Sequence, residues 1–129
     1  MAAKKIRLNR KAFEQIVEKA VERIPWDIRR HLQNVVIAVE RRPSRELLAE
    51  MGLSPDETLL GLYDGVPLSE RSLTAPPLYP DTIYIFQEPL EELCSSREEL
   101  MEEIERTVVH EVAHALGISD ERLEELGYG

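Results

Sequence analysis

His110 and His114 stand four residues apart, with Glu111 beside the first and Gly117 three residues past the second. On a helix, residues four apart lie one turn above each other on the same face. An adjacent residue points about 100° further round the axis. A helix through this stretch therefore presents two imidazoles to one point in space and a carboxylate just beside it. Two neutral imidazoles can grip one metal ion, zinc above all. The carboxylate can then reach a water on the metal without being a ligand. The fold has to be built around such a helix. The plain alternative is a helix that merely carries two histidines and a solvated glutamate.

The same helix reads back to a capping box, Ser96-Arg97-Glu98-Glu99, which opens it at Arg97. Leu100, Ile104, Val108, Val112 and Ala115 form its inward stripe as far as Leu116. Gly117 stops it, because glycine can take the left-handed conformation that folds the chain back towards the histidines. Three residues on, Asp120 is the candidate third ligand. Hydrolytic zinc sites usually have three protein ligands and leave the fourth position to water. Few residues follow His114, so the third ligand has to come from close by or from upstream. Glu121, Glu124 and Glu125 are alternatives, although they run away along a last helix over residues 120–126 that Ser119 caps. Asp120 could also be only a first-turn acid favoured by the helix dipole. Upstream, His31 reads as a helix-end residue and Cys94 as a small buried hydrophobe, and both are reserve ligands.

Before this helix the pattern alternates. Asn9 caps an amphipathic helix in which Phe13, Ile16, Val17, Ala20, Val21 and Ile24 recur at helical spacing, and Pro25 ends it. Trp26, the lone tryptophan, is expected in the core. Residues 35–39 are a β-branched run expected as a strand covered on both faces. Ser44 caps a short helix over residues 45–51 that Gly52 stops. Residues 59–63 read as a second strand ending in the turn dipeptide Asp64-Gly65. Residues 66–80 hold four prolines in an irregular connection that either borders a substrate cleft or is a surface excursion. Asp81–Phe86 is the third strand, and the candidate edge for an extended peptide. Residues 89–93 suggest a helical turn, and residues 2–8 are a weak candidate for a fourth strand. The expected class is α+β, with a small mixed sheet of three or four strands packed against helices.

At 129 residues the chain, 1–129, is expected to be a single domain. A net charge of −9 argues against a nucleic-acid backbone or an anionic membrane as partner. One cysteine excludes an internal disulfide, and there is no apolar leader or membrane-length run, so a reducing cytoplasm is expected.

The stretch from His110 to Asp120, read as H-E-x-x-H-x-x-G-x-x-D, resembles the signature of the small bacterial zincin-like metallopeptidases. The strand Asp81–Phe86, residues 119–122 after the motif, and the first helix followed by residues 35–40 are similar to that family too. The resemblance implies a minimal zincin fold and a zinc peptidase. It implies metal held by His110, His114 and Asp120, Glu111 as the catalytic general base, and a peptide or protein substrate. The related metzincins carry a third histidine where this chain has Asp120, and a later Met-turn, whereas no methionine follows Met101 here. The competing expectation is a non-proteolytic metal- or partner-binding domain on the same scaffold. A deformylase-type hydrolase, which takes an upstream cysteine ligand, fits less well because Cys94 lacks that enzyme's surroundings.

Overall fold

The computed structural model describes residues 6–65 and 81–128. The first helix, α1 (Arg10–Arg23), begins where Asn9 accepts the Ala12 N–H on its side-chain oxygen at 2.8 Å. Its apolar stripe, Phe13, Ile16, Val17 and Ala20, is buried, and Pro25 follows its end. Next come α2 (Trp26–Arg29), a 3-10 turn (Arg30–Leu32) and strand β1 (Val35–Glu40). Helix α3 (Arg45–Glu50) is capped by the Ser44 hydroxyl. Strand β2 (Gly61–Asp64) starts two residues later than its sequence pattern suggested. Strand β3 (Asp81–Phe86) runs straight into α4 (Gln87–Leu93). Pro89 is tolerated there because the first turn of a helix needs no N–H from it. Helices α5 (Arg97–Leu116) and α6 (Asp120–Glu125) complete the order.

Among the described residues the sheet has three strands in the order β1-β3-β2. β1 runs parallel to β3, with Val35 opposite Asp81, and β2 runs antiparallel to it, with Tyr63 opposite Ile83. The protein is therefore a small α+β fold with a mixed sheet. α5 packs on β2 and β3, and α1 packs on α5. One buried cluster joins Phe13, Ile16 and Ala20 of α1 to Val39, Ile83 and Ile85 of the sheet and to Leu100, Ile104, Val108 and Val112 of α5. Burial on this scale is the main favourable term holding the layers together.

Four expectations change. β3 is the central strand, hydrogen-bonded on both sides, so it offers no edge; β1 and β2 are the edges. Strand patterning reports burial but not which strands become neighbours. β1 is not covered on both faces, since Val36 is 47% exposed while Val39 is buried. Trp26 is 54% exposed. It opens a four-residue helix just after Pro25 has broken α1, and the Arg29 guanidinium lies 5.6 Å from its ring centre. Ala115 is exposed and Ala113 is buried in its place. At 3.6 residues per turn the inward stripe drifts from Val108 and Val109 to Val112 and Ala113, which leaves Ala115 outside.

The irregular connection over residues 66–80 lies outside the described residues, as do residues 2–5 of the weak fourth strand; residues 6–8 form no strand. Among the described residues, no helix is long and apolar enough to cross a membrane.

Candidate metal centre

α5 carries the two histidines, and both its ends are well specified. At its start the Ser96 hydroxyl accepts the Glu99 N–H at 3.1 Å, while the Glu99 carboxylate returns to the Ser95 N–H at 3.0 Å, one residue earlier than a standard capping box. At its end Gly117 is left-handed (φ 76°). Its N–H donates to His114 O at 3.2 Å and the Ile118 N–H to Ala113 O at 2.8 Å, the paired bonds of a Schellman stop. The chain doubles back, Ser119 caps α6 on the Arg122 N–H, and Asp120 enters as the first residue of α6.

This reversal returns Asp120 to the histidine face. His114 Nε2 lies 3.5 Å from Asp120 Oδ1. Ligand atoms of His110, His114 and Asp120 all lie within 4.8 Å of one another. The two rings meet edge-on, with centres 6.2 Å apart. Tetrahedral zinc with bonds of about 2.0–2.2 Å holds its ligand atoms about 3.3 Å apart. The His114–Asp120 separation matches that spacing, and two imidazoles with one carboxylate are donors that zinc accepts. The side chains of His114 and Asp120 are largely exposed, so an ion has a way in. The residues present fit a metal ion.

Glu111 stands beside this group and outside it. Its side chain is largely buried. Oε1 accepts the Tyr63 main-chain N–H at 2.9 Å, while Oε2 lies 3.9 Å from His114 Nδ1. Burial raises its pKa, against the opposing pull of the Tyr63 N–H and of the charges on His114 and His110. The Tyr63 contact requires β2 to lie tight against α5, and Gly61 permits it. A Cβ at Gly61 would meet Thr107 Cγ2 at 2.6 Å and the Tyr84 carbonyl oxygen at 3.0 Å. The Tyr63 ring is fixed in turn by its hydroxyl, which donates to the buried carboxylate of Asp81 at 2.5 Å.

A groove of about 630 Å³ opens at this point, with Arg30, His31, Tyr63, Asp81, Glu111 and His114 among its walls. His31 thus reaches the groove without joining the metal group. Cys94 is buried in the core at the end of α4 and takes no part. Tyr84 and Tyr128, the tyrosines considered from sequence for stabilising an oxyanion, do not line the groove. Two groups that sequence reasoning missed are main-chain atoms: the Tyr63 N–H, and the Tyr128 carbonyl oxygen, which lies 2.6 Å from His110 Nε2. The only sequence signal for the first was a glycine inside a strand, which often marks close backbone approach.

The profile of a family described as zincin-like metallopeptidase matches residues 32–129. The comparison with curated proteins finds no match. A solved structure of a conserved hypothetical protein from Thermo thermophilus superposes with a TM-score of 0.52 at 24% identity. The match covers 84% of this chain and 94% of that one, and shows a shared fold.

Proposed function

Because the chain belongs to the zincin-like metallopeptidase family, we propose that it is a zinc-dependent peptidase in which His110, His114 and Asp120 hold the ion and Glu111 is the general base. The family implies a metal ion and a peptide or protein substrate. One observation carries the reading to these residues: the ligand atoms of His110, His114 and Asp120 converge, with the partly buried carboxylate of Glu111 alongside.

A zinc ion held there would supply Lewis acidity, polarising a substrate carbonyl and making water acidic near neutral pH. The chain's own residues do the rest. Tyr63 ties down Oε1 of Glu111, so Oε2 is the oxygen that takes a proton from the attacking water and later gives it to the leaving amine. Burial makes that carboxylate a stronger base than an exposed glutamate. The groove opens beside β2, a true sheet edge. An extended peptide added along that edge would be held by main-chain hydrogen bonds and laid across Glu111 and His114.

The test is metal analysis of freshly purified protein together with cleavage of a peptide library by wild type and Glu111→Gln. One zinc per chain in both proteins, with cleavage by wild type alone, is the expected result. Equal behaviour of the two in every peptide assay would instead support a non-proteolytic metal- or partner-binding domain.

A further inference from the structure

Helix α6 touches both histidines, one from each end. Its first residue, Asp120, places Oδ1 3.5 Å from His114 Nε2. Just past its last turn, the Tyr128 carbonyl oxygen lies 2.6 Å from His110 Nε2. A carbonyl oxygen can only accept, so a contact this short requires the proton to sit on Nε2. In a neutral ring the lone pair is then on Nδ1. The carbonyl is itself held firmly. Gly127 is left-handed (φ 92°), its N–H donates to Glu124 O at 3.0 Å, and the Tyr128 N–H donates to Leu123 O at 2.8 Å. This is the Schellman arrangement of Gly117 repeated at the end of α6. Leu123 is fully buried and Tyr128 packs against the same core, which anchors the whole turn.

We propose that α6 is the positioning element of the site: the Tyr128 carbonyl holds His110 as the Nε2–H tautomer, so that His110 offers Nδ1, while His114 offers Nε2 next to Asp120. The part of this that concerns ligation rests on the zinc-peptidase reading; the tautomer does not. An outer partner that fixes a ligand ring in this way typically contributes 10- to 100-fold to metal affinity.

The experiment uses the full chain labelled with nitrogen-15 in its histidine rings. In metal-free protein at about pH 9, where free imidazole is neutral, His110 should show a proton on Nε2 that exchanges slowly with water, and a bare Nδ1. With a spin-active cadmium isotope in place of zinc, His110 should show direct metal coupling at Nδ1 and His114 at Nε2. Removing residues 128–129, or Gly127→Val, should speed exchange of the Nε2 proton and weaken zinc binding by roughly 10- to 100-fold. Tyr128→Phe keeps the carbonyl and should change neither. A proton on Nδ1 of His110 in wild type overturns the proposal, and so does cadmium coupling at its Nε2; both readings need no variant to fold. Zinc binding that ignores His110→Ala would instead overturn the ligand set, while the metal-free tautomer would still decide the role of Tyr128.

Discussion

The main-chain N–H of Tyr63 donates to Oε1 of Glu111 at 2.9 Å, joining residues that are 48 apart in sequence. Through this bond the sheet edge fixes the direction of the carboxylate on the motif helix. The bond favours the charged carboxylate and burial opposes it, and burial is the larger effect.

Glu111 should therefore weaken the metal-free fold at neutral pH. Its folded pKa lies above its unfolded one, so its contribution is fully present below the unfolded pKa and is lost as pH rises through the folded pKa. Glu111→Gln keeps an oxygen for the Tyr63 N–H and carries no charge. Urea unfolding of metal-free protein should show the variant more stable than wild type at pH 7, with the gap closing towards pH 4. The same change should lower any peptidase rate by about 10²- to 10⁴-fold, as loss of a general base does. A variant less stable than wild type at pH 7 would contradict the burial argument.

Gly61→Ala should destabilise the protein by about 1–3 kcal/mol, the usual cost of overpacking. The new methyl would meet Thr107 Cγ2 at 2.6 Å and the Tyr84 carbonyl at 3.0 Å. Thr107→Ser removes Cγ2 and keeps the hydroxyl that donates to Glu103 O at 2.7 Å. The double variant should recover part of the loss, and a double-mutant cycle by urea unfolding measures that coupling. Strict additivity would mean that β2 is not wedged against α5 at this point.

Asp120 is largely exposed, so Asp120→Ala should leave metal-free stability within about 0.5 kcal/mol. Zinc affinity, measured by competition with a chromogenic chelator, should fall at least about 100-fold, beyond the loss typical of outer partners. Asp120→His should restore much of it. Undiminished affinity in Asp120→Ala would place the third ligand elsewhere, with Glu121 the next to test.

Cys94 should be inert to thiol reagents in the native protein. Burial raises its pKa to about 11, helped by the negative charges of Glu103 and Glu99. Its folded pKa is raised, so its contribution to stability is intact below the unfolded pKa and is lost as pH rises through about 11. Labelling with a chromogenic disulfide reagent at pH 8 should follow global unfolding in urea. Fast labelling without denaturant would show that the core opens locally around α4.

What the sequence made legible was whatever is set by neighbours along the chain. The caps at Asn9, Ser44, Ser96 and Ser119, the stop at Gly117 and the helical stripe of α1 are local interactions, and the structure has them where the residue pattern put them. The juxtaposition of His110, His114 and Asp120 is nearly local too, since it needs one helix turn and one reversal. What stayed hidden depends on partners far away in sequence. Nothing in the residues of β3 says that β1 and β2 will both pair with it, and nothing around Trp26 says that its turn faces solvent. The main-chain groups of Tyr63 and Tyr128 were hidden for another reason: every residue has a C=O and all but proline an N–H, so composition cannot mark the two that matter.

Six residues is too short for α6 to stand as a helix by itself. Its order is borrowed from Leu123 in the core and from the turns at each end. Such a segment belongs to the low-stability end of a fold, where amide protons exchange through local opening long before the sheet lets go. A ligand bound through Asp120 and His114 adds its binding free energy to that local closure. Hydrogen exchange along α6 would then act as a gauge of metal occupancy, slowing in step with zinc concentration while the amides of β3 keep a rate of their own.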